Sequence, residues 1–206
     1  MLGLPTSTEI RKIITKKKVY AQFGAEMSAE RRKKFDADIA RMVLTNEVSP
    51  VSVNLPAGEA VQSFFVLQVF LKEKDFDPQN IAWLARLFGQ RLVMVLEAEG
   101  CQRLAVWQTH LIMTDWAEPG AMTLPLKGLD LDKVWENLVA QIAGIERERD
   151  RTLDEQLALA AQREKLQKEI ARLEKKARAE RQPKKKFELV QQMHALKREL
   201  EDTHNG

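Results

Sequence analysis

Two apolar stripes in the last third of the chain mirror each other about Pro183. Within each stripe the spacings are three and four residues, which is the period of a helix seam. Because proline cannot continue a helix interior, this symmetry predicts an antiparallel helical hairpin, a coiled coil, that turns at Pro183. The predicted seam consists of Leu166, Ile170, Leu173, Ala177, Leu189, Met193, Leu196 and Leu200.

The two predicted arms differ in length. A helix over 146–181 would be about 54 Å long, whereas a helix over 187–203 would be about 25 Å long. The uncovered part of the longer arm carries Leu153, Leu157 and Ala160 at heptad spacing. An exposed apolar stripe is unfavourable, so we expect these side chains to meet the domain body, a second copy of the chain or another protein.

The rest of the chain predicts one compact domain. A chain of 206 residues with 44% hydrophobic residues can bury one core of substantial size. We place the domain at 1–144 and the charged hairpin arm at 145–206, because Gly144 weakens a helix where the charged tail begins. The predicted class is α+β, a small mixed sheet with flanking helices.

Local patterns assign the elements of this domain. The first helix is predicted to start near Glu9 and to end at the lysines 16–18, and the second to start after Ser28. Asp77-Pro78 predicts a further helix start, and Glu99-Gly100 predicts a hairpin turn. Strands are predicted over 39–48, 51–55, 60–71, 91–97, 104–107 and 111–113, and a last helix from residue 129.

Composition excludes several classes of protein. The single cysteine, Cys101, excludes an internal disulfide and a cysteine-based zinc site. Apolar runs are shorter than the roughly 18 residues that span a bilayer, and the N-terminus has no signal-peptide core. We therefore expect a soluble, cytoplasmic protein without a membrane partner.

Basic residues form three runs, which are candidates for nucleic-acid binding. The net charge is +4 over 1–50, −4 over 51–145 and +3 over 146–206. The runs could neutralise phosphates, and a solvated face or a helix end is the alternative explanation of each. They comprise Lys16, Lys17, Lys18, Arg31, Arg32, Lys33, Lys34, Lys184, Lys185 and Lys186.

The sequence shows no catalytic constellation. Glycine-rich phosphate-binding loops are absent, and we expect no cofactor and no bound metal. A metal-dependent nuclease needs an Asp, then an acidic residue or Gln, and a Lys on one strand. The nearest matches, Glu97-Ala98-Glu99 and Gln68…Lys72, lack this spacing.

Several segments resemble a bacterial family, domain of unknown function 4391. They are residues 1–10, Lys17-Lys18-x-Tyr20, Ser49-Pro50…Asn54-Leu55, Leu126-x-Gly128-Leu129-Asp130-Leu131 and stretches of 173–200. The resemblance implies bacterial origin and a gene neighbourhood of helicases, DNA methyltransferases and restriction-like enzymes in phage-defence clusters. It implies no catalytic residues.

These observations favour a non-enzymatic accessory subunit of a bacterial DNA-processing or phage-defence complex. Its expected partners are another protein, such as a helicase or methyltransferase subunit, and DNA. Two alternatives stay open. One is a divergent metal-dependent nuclease, and the other is a structural protein that forms a homodimer through Leu153 and Leu157.

Overall fold

The computed structural model describes residues 2–23, 27–148 and 150–205. The chain divides into two compact units, one ending at Arg147 and the other beginning at Glu148. Within the described residues no helix is long and apolar enough to cross a membrane.

The first unit is built on a mixed sheet. Among the described residues six strands lie in the order in which the chain forms them, β1-β2-β3-β4-β5-β6. β3 and β4 are parallel, and every other neighbouring pair is antiparallel. The strands are β1 (Glu9–Ile14), β2 (Ile39–Val48), β3 (Phe64–Leu71), β4 (Arg91–Ala98), β5 (Cys101–Trp107) and β6 (Leu111–Met113).

Helices cover both faces of this sheet. Phe35, Ile81 and Leu84 pack from one side against Leu67 and Met94, and all five are fully buried. On the other face Trp135 of the last helix contacts Phe64, with ring centroids 5.6 Å apart. The helices of this unit are α1 (Lys16–Phe23), α2 (Ala29–Asp38), α3 (Pro50–Val53), α4 (Pro78–Leu87) and α5 (Leu131–Ala143).

Most predicted start and stop signals are confirmed. The Ser28 hydroxyl accepts a hydrogen bond from the Arg31 N–H at the start of α2, and Asp77 caps α4 in the same way. The helix α5 ends at Gly144, which adopts the left-handed conformation (φ 66°). The predicted central position of β3 and the turn at Glu99-Gly100 also agree with the sheet.

Two local predictions are wrong. Residues 9–14 form the edge strand β1, whose irregular pairing with β2 includes Arg11 at positive φ. Ile10 and Ile13 remain largely exposed there, so their helical spacing reflects no buried face. The segment predicted as a strand at 51–55 starts with a single helical turn, α3, which Ser49 and Ser52 close with a reciprocal capping box.

The second unit is the predicted helix pair. Its helices are α6 (Leu153–Ala179) and α7 (Pro183–Asn205). The seam residues of α6 are buried or half-buried, and those of α7 are half-buried. The Arg163 guanidinium donates to the Thr203 carbonyl, a pairing that continues the antiparallel register of the mirrored stripes.

The ends of these helices differ from the prediction. Thr152 caps α6 through a capping box with Glu155, so the helix begins at Leu153 and not at Glu146. Pro183 is the first residue of α7, a position where its missing N–H costs nothing. At about 40 Å and 34 Å the two helices are more nearly equal than expected.

Candidate functional site

The helices α1 and α2 pack against each other through a small polar and aromatic contact. The Tyr20 and Phe35 rings meet edge-on, with centroids 6.1 Å apart. The Tyr20 hydroxyl donates to the Asp36 carboxylate at 2.8 Å, and the Lys16 ammonium lies 3.1 Å from the same oxygen. The contact brings together two basic runs that are separated in the sequence.

Asp36 is the negative centre of this contact. Partial burial raises the pKa of Asp36. Hydrogen bonds from Tyr20 and Lys16 and the charge of Lys72 lower this pKa by more, so it lies below its usual value. Burial and the Asp36 carboxylate raise the pKa of Tyr20. The Lys72 ammonium also donates to the Asp36 carbonyl at 2.7 Å. Asp36 therefore stays ionised and holds two lysines close to the helix pair.

Four lysines project from this helix pair into solvent. Lys17 and Lys18 lie in the first turn of α1, and Lys33 and Lys34 lie in the middle of α2. The Lys34 ammonium lies 3.8 Å from the Glu30 carboxylate, and both of those side chains are mostly exposed. We call Lys17, Lys18, Lys33 and Lys34 the basic surface.

The two arginines of the second run have structural roles. The Arg31 guanidinium donates to the carboxylate of Asp77 at 3.1 Å and to the amide oxygen of Asn80 at 3.3 Å, which ties α2 to the start of α4. The Arg32 guanidinium carbon lies 5.6 Å from the Tyr20 ring centroid. Lys16 is likewise held by Asp36. These three candidates therefore contribute to packing inside the first unit.

The third basic run lies in the second unit. Lys184, Lys185 and Lys186 occupy the first turn of α7, and all three are exposed. The structure thus brings two of the three predicted runs together in one unit, while the third belongs to the other unit.

The predicted partner stripe is not an open surface. Leu153 is 6% exposed and Leu157 is 2% exposed in the single chain, and Ala160 is half-buried. The neighbouring Gln156 is also buried, and its amide donates to the Glu148 carbonyl at 3.0 Å. This burial agrees with the expectation that the stripe is covered, and binding of a second copy or another protein through these residues stays a prediction.

The residues considered for a nuclease are only partly brought together. The Gln68 and Gln102 amides both donate to one oxygen of Glu97, at 2.8 Å and 2.9 Å. Glu99 instead accepts a hydrogen bond from the Lys74 backbone, and Lys72 contacts Asp36. Among the described residues no group of three His, Cys, Asp or Glu side chains is arranged to hold a metal ion.

One polar cleft was not predicted from the sequence. It lies beside α4 and includes Arg86, Arg91 and Trp107. The two arginines do not form a run, and Trp107 belongs to another strand, so no local pattern connects them. Only the parallel pairing of β3 and β4, which places the starts of both strands side by side, assembles this cleft.

Comparison with protein families identifies the chain. The family described as Domain of unknown function (DUF4391) matches residues 2–200. The chain belongs to this family. The resemblance inferred from the sequence segments is thereby confirmed. No curated protein and no solved structure matches the chain.

Segments that carried the family resemblance meet in the first unit. The Ser7 hydroxyl donates to the Ser52 carbonyl at 2.6 Å, which joins the opening segment to α3. The Leu131 N–H donates to the Pro56 carbonyl at 3.1 Å, which joins the start of α5 to the loop after α3. In this part of the family fold, the motif residues stabilise connections between loops and helix ends.

Proposed function

We propose that this chain is a non-catalytic accessory subunit that attracts nucleic acid through its basic surface. In this proposal it works in the bacterial cytoplasm as part of a DNA-processing or phage-defence complex. The family's gene neighbourhood suggests a helicase or methyltransferase subunit as the protein partner. The observation that carries the proposal is the meeting of two separate basic runs at the α1–α2 contact.

The position of the lysines within their helices supports this role. A helix N-terminus carries a partial positive charge, so a cation in the first turn costs roughly 0.3–1 kcal/mol. Lys17 and Lys18 occupy that unfavourable position in α1. Lys16 is compensated by Asp36, whereas these two lysines extend into solvent. Residues that oppose the local rules of folding are candidates for function.

Such a surface attracts phosphate groups whatever the base sequence. Exposed lysines are flexible point charges that neutralise phosphates and release counterions without reading bases. We therefore expect binding that depends strongly on salt and only weakly on sequence. The dissociation constant for a short duplex should lie in the range of about 10⁻⁴–10⁻⁶ M at physiological salt.

A charge-removal experiment tests this proposal. We would substitute all four residues of the basic surface with glutamine and measure binding of a fluorescent 20-base-pair duplex by anisotropy across a salt series. Each lost phosphate contact should reduce the slope of log K against log salt by about 0.9. The matched control changes four exposed lysines of α6 to glutamine, namely Lys165, Lys168, Lys175 and Lys176.

The outcome distinguishes binding at the basic surface from attraction by the overall charge of the protein. The proposal predicts a large loss of affinity and a smaller salt slope in the basic-surface variant, with little change in the control. Equal losses in the two variants would show that overall charge accounts for the binding. Wild-type protein that fails to bind duplex DNA even at low salt would overturn the proposal.

The contact between Gln68 and Glu97 keeps one enzymatic alternative testable. A nuclease would use Glu97 as one ligand of a divalent cation and would need further oxygen ligands from a substrate or from water. Purified protein would then degrade DNA when Mg²⁺ is added, and Glu97→Ala would abolish the reaction. The accessory-subunit proposal predicts no degradation by either protein.

A further inference from the structure

One face of the helix pair has an open groove between α6 and α7. Its lining includes three leucines of the seam, Leu166, Leu189 and Leu196. Leu166 is buried, whereas Leu189 and Leu196 of α7 stay half-buried in the single chain. Two helices cover their common seam only where they touch, so the groove keeps an apolar floor that a further layer of helices can bury.

Charged residues of opposite sign lie on the two edges of this groove. The α6 edge is basic and the α7 edge is acidic over most of the length, and both signs reverse next to the turn. The residues are Lys165, Lys176 and Glu180 on α6, and Glu199, Glu188 and Lys185 on α7. The two lysines of α6 are 11 positions apart, as are the two glutamates of α7. This spacing is about three helical turns, so both members of each pair project from the same side of their helix.

The antiparallel register places each of these charges level with an opposite charge. In the register of the mirrored stripes, Lys165 is level with position 201 and Lys176 with position 190. Glu199 and Glu188 therefore lie only two residues, about 3 Å along the helix axis, from those levels. The pair next to the turn is level within one residue.

Within one chain the groove keeps these level charges apart. Among the described residues, neither the two edge lysines nor the two edge glutamates take part in an ion pair, whereas three other cations of α6 each pair with a glutamate of their own helix. These cations are Lys168, Arg172 and Arg178. The edge charges are therefore available to a partner that lies on the groove.

We infer that a second copy of this chain packs on the groove, so that two helix pairs form a four-helix bundle. A two-fold axis parallel to the helices places α6 of one copy on α7 of the other and keeps the levels of the residues. Lys165 of each copy then faces Glu199 of the other, and Lys176 faces Glu188. All neighbouring helices are antiparallel in this arrangement, as in common four-helix bundles.

The charges also disfavour the other symmetric arrangement. A two-fold axis across the groove would place α6 on α6 and α7 on α7, with the levels reversed. Lys165 would then face Lys176, and Glu188 would face Glu199. Because like charges repel, the edges of the groove select the axis that is parallel to the helices.

The groove is large enough for a specific dimer. It extends from Ala161 to Glu180 along α6, which is about 28 Å, and two helices side by side are about 20 Å wide. The face would bury about 560 Å² on each copy and about 1,100 Å² in total, and specific interfaces exceed about 1,000 Å². We therefore expect a dimer with a dissociation constant in the micromolar range.

This inference does not rest on the proposed function, which uses the basic surface of the first unit. It also differs from a homodimer through Leu153 and Leu157, because those two residues do not line the groove. The test below contains no DNA, so its failure is distinguishable from a failure of the nucleic-acid proposal.

Sedimentation equilibrium of two charge-reversed variants of the full-length protein tests the inference. An all-acidic variant carries Lys165→Glu and Lys176→Glu, and an all-basic variant carries Glu188→Lys and Glu199→Lys. All four side chains are exposed in the single chain, so circular dichroism should show unchanged helix content. Each variant alone places like charges opposite each other, which should raise the dissociation constant of the dimer about 50-fold. An equal mixture of the two restores every ion pair and should dimerise at least as tightly as the wild type.

The matched control is Lys175→Glu with Lys197→Glu. Both lysines are exposed and neither lines the groove, although the change in net charge equals that of the all-acidic variant. The control should dimerise like the wild type. An equal loss of dimer in the control would overturn the inference, because overall charge would then account for the effect.

Four further results would overturn the inference. The first is wild-type protein that stays monomeric up to about 200 µM at low salt, well above a micromolar dissociation constant. The second is a dimer that both charge-reversed variants retain, and the third is a mixture of the two that stays monomeric. The fourth is a dimer that only Phe187→Ser abolishes, because Phe187 is exposed and does not line the groove.

Discussion

The contact between Gly58 and Asp132 makes a sharp prediction about stability. The Asp132 carboxylate accepts hydrogen bonds from three successive N–H groups of the loop 59–61, with N···O distances as short as 2.8 Å. A Cβ added at Gly58 would lie 2.1 Å from a carboxylate oxygen of Asp132 and 2.7 Å from its backbone nitrogen. Gly58→Ala should therefore displace the carboxylate and weaken its hold on the loop.

The expected loss in the free energy of unfolding follows from the interactions that each substitution disrupts. Overpacking a well-packed site costs typically about 1–3 kcal/mol, which we expect for Gly58→Ala. Asp132→Ala removes hydrogen bonds to a charged group at a partly exposed position, so we expect about 1–2 kcal/mol. For a protein of this size each kcal/mol lowers the melting temperature by about 2–4 °C.

A double-mutant cycle tests the mechanism. Urea unfolding of the wild type, both single variants and the double variant should give a double-variant loss that is smaller than the sum, by about 0.5 kcal/mol or more. The control Glu59→Ala changes an exposed acid of the same loop and should alter stability by less than about 0.5 kcal/mol. Additive losses would refute the idea that Gly58 is required for the Asp132 contact.

The same contact predicts a dependence on pH. Burial raises the pKa of Asp132 and the three backbone donors lower it by more, so its folded pKa lies below the ordinary value of 3.8. The stabilisation is therefore complete above about pH 3.8 and is lost as the pH falls through the folded pKa. The difference in stability between the wild type and Asp132→Ala should shrink only in that acidic range. A constant difference would contradict this account.

Further predictions concern the helix pair and the α1–α2 contact. Leu173→Ala removes a buried seam side chain and should destabilise the protein by about 2–4 kcal/mol in urea unfolding, whereas the exposed Gln167→Ala should have little effect. Thr152→Ala deletes the cap of α6 and should cost about 1 kcal/mol in the same assay, and an unchanged midpoint would argue against the capping box. Tyr20→Phe removes a donor to the Asp36 carboxylate, so NMR titration should show a higher pKa for Asp36, and an equal or lower pKa would contradict the geometry.

Local signals predicted much of the fold because they act over a few residues. The Asp77-Pro78 start of α4 and the Gly144 end of α5 depend on single turns of backbone, and both are read directly from the sequence. The register of the helix pair follows equally well from its mirrored stripes. Such features need no knowledge of the rest of the chain.

The errors arise where distant contacts decide the conformation. Ile10, Ile13 and Ile14 fit a helix by spacing, but pairing with β2 makes the segment an edge strand. As a result, the lysines 16–18 begin a helix and do not end one.

The candidate site was predicted as a set of residues but not as a surface. The basic runs were visible in the sequence, whereas their division into structural and exposed members was not. Asp36 and Asp77 engage Lys16 and Arg31, and these pairings depend on how α1, α2 and α4 pack. The polar cleft beside α4 depends entirely on the pairing of two strands and had no signal in the sequence.

Mapping of DNA contacts by NMR tests the central claim most directly. Amide spectra of the full-length protein would be recorded during titration with a 12-base-pair duplex at low salt. The account predicts that the largest shift changes fall on α1 and α2, around Lys17, Lys18, Lys33 and Lys34. Changes confined to the start of α7 at residues 184–186, or no changes at all, would contradict it.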